Sequence, residues 1–416
     1  MRILLKNASQ IVTVDTKGSN LKRGKDMNEI SPLSGHSIII ENDKIADIIP
    51  SSSESAHVFD NEIDLSGKVV LPGLVECHTH TAYAGSRANE FRMKLRGVSY
   101  EEIAEMGGGI NSTVSAVRNS TKQDLKNLTH KRVKNFIRQG ITSLEIKSGY
   151  GLNFENEIKL LEVINEVAQE SDIDIYATYL GAHTIPPEFK SDRRGYINSI
   201  TREMIPYIAK EKLASFCDAF CETTAFTPEE VREIFNAASI NGLKLKLHSE
   251  QFNNIGGLDL GIEMDVLSID HLEVIKNDDI PRLASHDIVA VLLPGVSFFL
   301  NYGFAPARGI IDANGIVALS TDFNPGSSHI SSFNLIMSLA ALKMKMSVEE
   351  VISAVTINSA KALGINNLTG SIEPGKKADF SVFDTDDYSD IIYSVGSNLN
   401  VMTIKNGKII YQKSGE

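Results

Sequence analysis

The sequence predicts an α/β protein: a closed (β/α)8 barrel of the TIM type, with a small β-sandwich module built from the N- and C-terminal segments. Three observations carry that expectation. Between residues 69 and 319, eight short β-rich runs alternate with longer, charged, helix-like stretches, the pattern of repeated β-α units around a parallel sheet. The 416 residues, 42% of them hydrophobic, suffice for one core of barrel size with residues left for a smaller unit. Both ends switch to short alternating strands with tight-turn signals.

In chain order, residues 37–49 alternate across Asn42-Asp43, a hairpin-turn dipeptide. The barrel runs follow at 69–77, 142–147, 173–180, 216–221, 243–247, 266–269, 288–293 and 316–319. Residues 378–384 and 401–411 alternate again, with Asn406-Gly407 as a strong hairpin signal. A lone hairpin is marginal in water, so the two ends are expected to pair as one module discontinuous in sequence. That module takes residues 1–66 and 375–416, beside a barrel of residues 67–374. No fixed-period repeat, low-complexity tract or long linker interrupts the chain.

Composition narrows the function. A net charge of −12, with no basic run carrying interleaved aromatics, argues against nucleic acid as a partner. The apolar part of the N-terminus is too short for a signal peptide and no apolar stretch reaches spanning length, so a cytoplasmic protein without a membrane partner is expected. Cys77, Cys217 and Cys221 form no disulfide framework and no zinc-finger spacing, which suits a reducing compartment and buried, apolar roles. Barrels of this kind often dimerise, so a homodimer is a possible assembly.

In such a barrel the active site lies at the C-terminal strand ends. The first run ends in His78-Thr-His80, whose two imidazoles share a face because side chains at i and i+2 of a strand do. The fifth supplies His248 and the eighth Asp322. Three neutral imidazoles and one carboxylate fit a single divalent ion, zinc or iron, that keeps a position for water and lowers its pKa to about 7. A single strand-end histidine is ordinarily a structural hydrogen-bonding residue; donors arising at independent strand ends argue for a metal centre.

Neighbouring strand ends add polar groups. His271 ends the sixth run, placed to polarise a carbonyl or exchange a proton, with Asp270 or Glu273 to orient it. Glu250 shares the face of His248 if the strand continues, as general base or as support for the ligand. Glu222 falls at the fourth strand's end. Arg87, after the first run, matches a carboxylate with its two-pronged guanidinium. Tyr150 and His183 offer flat rings with polar tips. The Asn324-Pro-Gly326-Ser327 turn is either an anion site formed by backbone N–H groups or an ordinary loop. Gly107-Gly-Gly109 lacks phosphate-loop spacing and reads as a flexible loop.

With these residues in view, the chain resembles the amidohydrolase superfamily. The resemblance rests on His78-x-His80, His248, His271 and Asp322, with the closing segment Gly370-Ser-Ile-Glu-Pro-Gly-Lys-Lys-Ala-Asp379-Phe. The strings from Glu76 to Arg87, Tyr100 to Ile110, Lys147 to Leu152, Leu180 to Phe189 and Ser320 to Ser327 are similar, along nearly the whole chain, to the branch that opens imidazolone rings. The resemblance implies hydrolysis of a cyclic amide C–N bond, opening 4-imidazolone-5-propanoate to N-formimidoyl-L-glutamate in histidine degradation. It implies that His78, His80, His248 and Asp322 hold one zinc or iron ion whose hydroxide attacks the ring carbonyl, and that His271 assists. It further implies that Arg87, Tyr150, His183 and Gln251 contact the substrate, while Asn324, Gly326 and Ser327 hold its carboxylate-bearing end or the product. A catalytic set of His271, Glu250 and Asp322 is expected. The rival readings are a deaminase of a small aromatic base and a non-catalytic, metal-free barrel.

Overall fold

The computed structural model describes residues 1–98, 102 and 108–414. Eight parallel strands run in sequential order: β1 (Leu74–Glu76), β2 (Ile141–Lys147), β3 (Asp174–Ala182), β4 (Phe216–Cys221), β5 (Lys244–Ser249), β6 (Ser268–His271), β7 (Val289–Leu292) and β8 (Ile316–Leu319). Past the last regular residues, Thr79 bridges Phe323 in parallel and the His80 N–H donates to the Phe323 carbonyl at 3.0 Å, joining first strand to last. The closing bridge therefore passes through the segments that carry His78, His80 and Asp322.

Alternation decides what each strand presents. Leu144 and Ile146 of β2, Cys217 and Ala219 of β4, and Leu245 and Leu247 of β5 pack into the layer shared with the surrounding helices. The intervening residues face the barrel interior. There Val75, Cys77, Phe216, Val289, Val291, Ile316 and Ala318 form an apolar cluster. The helices begin where local chemistry satisfies their free N–H groups: Thr121 accepts from Asp124 N ahead of Lys122–Ile137, and Thr227 with Glu230 forms a capping box on Pro228–Ile240.

The strands differ from the sequence expectation at their ends. The third runs two residues further than expected, through Gly181 and Ala182; the fifth and sixth continue two residues beyond their last apolar position, because interior polar residues keep the ladder going where hydrophobicity stops. The expected first run, 69–77, is two strands in two sheets. Val69–Pro72 pairs antiparallel with Phe380–Phe383 and parallel with Gln10–Val12, whereas Leu74–Glu76 joins the barrel. Gly73 is the crossing point: a Cβ there would lie 2.2 Å from Thr142 Oγ1. Gly73→Ala should thus cost about 1–3 kcal/mol by overpacking, read as a lower urea midpoint. An unchanged midpoint would remove Gly73 as a steric pivot.

The ends build two further sheets. One is ordered Lys44–Pro50, His36–Glu41, Arg2–Lys6, Asn61–Asp64; the other Lys408–Gln412, Asn400–Lys405, Phe380–Phe383, Val69–Pro72, Gln10–Val12, Pro32–Leu33. Their facing side chains, including Ile3, Leu5, Ile38, Ile40, Val70, Phe380, Val382 and Ile404, form a separate core. Both hairpin signals are realised: Glu41 pairs with Lys44 around Asn42 at φ 59°, and Lys405 with Lys408 around Asn406 at φ 50° and Gly407 at φ 77°. The Asn-Gly pair has the two positive φ values of a type I′ turn. Cys77, Cys217 and Cys221 are buried and unbridged. Tyr100 and Gly107 lie outside the described residues.

Candidate active site

At the C-terminal ends of the strands the structure brings five side chains together. Two overlapping groups, His78 with His80 and Asp322, and His78 with His248 and His271, each place their donor atoms within 4.8 Å of one another. All five are buried. Asp322 Oδ1 lies 3.4 Å from His78 Nε2 and 3.2 Å from His80 Nε2, and the His78 and His248 rings are 4.4 Å apart.

Whether this set fits a metal is answered by the atoms it leaves over. His78 Nε2, His248 Nε2 and Asp322 Oδ1 are buried and make no hydrogen bond. Buried polar atoms are nearly always partnered, so orphans gathered around His78 fit a cation. The opposite ring edges are held: His78 Nδ1 lies 2.5 Å from Asp270 Oδ2 and His248 Nδ1 3.0 Å from Asp218 Oδ1. With Nδ1–H donated to a carboxylate, each ring turns its Nε2 lone pair to the site, the usual arrangement of metal-binding histidines. Burial holds His80 and His248 below the ordinary imidazole range, in the neutral form that coordination requires.

Backbone conformation is unusual here. Glu250, His271, Leu272 and Asp322 have φ of 57°, 90°, 66° and 48°, in the left-handed region that side chains avoid. Strain of this kind gathers at functional sites. For Glu250 it corrects the sequence expectation. β5 ends at Ser249, so Glu250 turns off the face of His248; it lines no part of the cavity and its electrostatic neighbours are Asp279, Lys276 and Asp259. Burial pushes its carboxyl up to about 7. A general base at Glu250 is not what this geometry offers.

The cavity above the five residues, about 210 Å³, is lined by Arg87, Tyr150, His183, Gln251, Asn324, Gly326 and Ser327, together with His80, His248, His271 and Asp322. His183 stacks on His80 at 5.2 Å and its Nδ1 is 2.9 Å from the Gly149 carbonyl. Burial and His80 push it down to about 3, so Nδ1–H donates to Gly149 and Nε2 stays an acceptor. His271 is oriented by Glu273, at 3.4 Å from its Nδ1; Asp270 points to His78 instead. Burial disfavours the imidazolium, but Glu273, Asp322 and Asp270 together outweigh it and raise the His271 pKa.

Two further expectations change. In the Asn324 turn the N–H groups of Gly326 and Ser327 both donate to Asn324 Oδ1 at 2.7 Å, so they are not free for an anion. The turn instead presents Ser327 and the bare face of Gly326, where a Cβ would sit 2.1 Å from Arg87 Nη1. Glu222 stays outside the cavity and accepts from Phe252 N and Asn253 N, fixing the loop after β5. Sequence reasoning missed Glu90, whose carboxylate takes the Arg87 Nε–H at 2.7 Å, and Lys94, Phe220, Phe252, Leu300 and Tyr302 around the mouth. It also missed Asp218. The signal was present: a carboxylate inside an otherwise apolar strand.

Five nitrogen and oxygen donors at the mouth of a parallel barrel define a metal-dependent hydrolase of the amidohydrolase type. The amidohydrolase family model matches residues 69–410. Imidazolonepropionase of Geobacillus thermodenitrificans is 43% identical over 98% of this chain and 97% of its own, and that of Clostridium tetani 42% over 99% of each. Among solved structures, a triazine hydrolase variant superposes with a TM-score of 0.77 at 18% identity, covering 99% of this chain and 95% of that one. A zinc-bound adenosine deaminase of Xanthomonas campestris gives 0.74 at 16%, covering 99% and 93%. The chain belongs to the imidazolonepropionases, within the amidohydrolase family.

Proposed function

We propose that this enzyme hydrolyses 4-imidazolone-5-propanoate to N-formimidoyl-L-glutamate, the ring-opening step of histidine degradation. The observation that carries the reading is the pairing of the orphaned His78, His248 and Asp322 donors with a cavity holding one arginine beside them. His78, His80, His248 and Asp322 would hold one zinc or iron ion, which when bound supplies Lewis acidity and a water acidified toward neutral pH. Three buried, unbridged cysteines suit the reducing cytoplasm in which we place the enzyme.

The side chains divide the work. Arg87, held at Nε by Glu90, keeps its two terminal amino groups for the substrate propionate. Tyr150 and His183 flank the planar ring, and Gln251 offers an amide to its polar edge. His271, biased by Glu273 toward holding a proton, stands where the carbonyl oxygen gains charge and can pass a proton to the departing ring nitrogen. One water is added and one C–N bond is broken.

Arg87→Ala should raise KM much more than it lowers kcat, and Glu90→Gln should do the same more weakly, since it loosens the guanidinium without removing it. Steady-state kinetics with an unchanged KM for Arg87→Ala would take the arginine out of binding. The reaction class is tested by following imidazolone absorbance and ammonia together. Ring loss without ammonia supports ring opening; ammonia in step with substrate loss would instead make the enzyme a deaminase.

A further inference from the structure

Beneath the histidines, the barrel interior carries a layer of charge. Lys147 and Lys246 meet Glu145, Asp218 and Asp270, every one of these side chains fully buried. Interior positions of such barrels are normally filled by branched apolar residues, as they are one layer further down. Burying charge is costly even when it is paired, so this layer calls for a role beyond filling space.

We propose that Lys147 is a positioning residue for the metal site, holding both carboxylates that orient the ligand histidines. Its ammonium is 2.8 Å from Asp218 Oδ2 and 2.6 Å from Glu145 Oε1, and Asp270 Oδ2 is 4.0 Å away. Asp218 in turn binds His248 Nδ1, and Asp270 binds His78 Nδ1. Lys147, on β2, therefore ties β4 and β6 to two rings carried by β5 and the end of β1. Lys246 backs the arrangement from the other side, 3.9 Å from Asp270 and donating at 3.1 Å to the Cys77 carbonyl next to His78. Without the Lys147 ammonium, three carboxylates would share one dry space with a single remaining cation. Asp218 and Asp270 would then repel their neighbouring carboxylates and turn away, and the rings would lose the acceptors that fix their tautomer and direction.

This inference rests on the proposed metal site but not on the substrate. Its test is zinc affinity of the metal-stripped full chain, by competition with a chromophoric chelator, for wild type, Lys147→Met, Asp218→Asn and the double variant. Wild type failing to take up zinc would overturn the metal reading itself. With wild type binding one zinc, Lys147→Met and Asp218→Asn should each weaken affinity by about 10- to 100-fold. The double variant should be no weaker than the worse single one, because both changes cut one line of contacts. Wild-type affinity in a folded Lys147→Met protein, or losses that simply multiply in the double variant, would overturn the proposal. If Lys147→Met does not fold, Asp218→Asn decides alone: it keeps the shape of the site, and wild-type affinity there would equally overturn it.

Discussion

Replacing His78 with alanine should leave a folded barrel that holds no stoichiometric metal and opens the imidazolone ring at least roughly a thousandfold more slowly, about 4 kcal/mol of lost barrier reduction. His78 is singled out because it belongs to both donor groups at the barrel mouth. Its removal also takes from Asp270 the ring nitrogen 2.5 Å from its Oδ2. The melting temperature should therefore fall together with metal content, as a buried carboxylate loses a partner. Elemental analysis and kcat/KM check this on one preparation. Full metal occupancy with activity near wild type would remove His78 from the centre.

The second large effect separates catalysis from ligation. His271 is close enough to His78 and His248 to be a ligand, and like them it has a carboxylate at Nδ1; unlike His80 and His248, which burial keeps neutral, it is raised in pKa beside Glu273. We propose that its role is to carry the proton. His271→Asn should keep wild-type metal content while kcat falls by about 10²- to 10⁴-fold and KM changes little. His248→Ala, by contrast, should lose the metal. If the two variants lose it alike, His271 is a ligand and the proton passes through another group.

Much of this site is legible in the amino-acid sequence, for a physical reason. A barrel gathers its C-terminal strand ends at one mouth, so polar residues ending apolar runs, such as His78, His80, His248, His271 and Asp322, were bound to meet. What the pattern hid depended on backbone direction and on side chains beneath the mouth. Glu250 looked co-facial with His248 only while the strand was taken to continue; a positive φ at that residue turns it aside. The Asn324 turn advertised free N–H groups, but its own side chain consumes them. Asp218, Glu145 and Lys147 lie within strands, where charge at alternate positions looks like a lapse in an apolar run and not like a support for ligands.

The fold followed the same division. Eight alternating runs and two terminal hairpins specified a barrel beside a small sandwich. The crossing at Gly73 was concealed because both halves of residues 69–77 are equally apolar, and only pairing partners tell one sheet from the other. Strand ends extended by Ser249 and His271 were likewise invisible to hydrophobicity.

In the proposed reaction, one water opens one ring. This is tested most directly by mass analysis of the product formed from 4-imidazolone-5-propanoate in ¹⁸O-labelled water, on enzyme of measured metal content. The expected product is N-formimidoyl-L-glutamate carrying a single labelled oxygen in the new carboxylate, with no ammonia released. An intact ring, or a labelled oxygen in place of an expelled nitrogen, would contradict it.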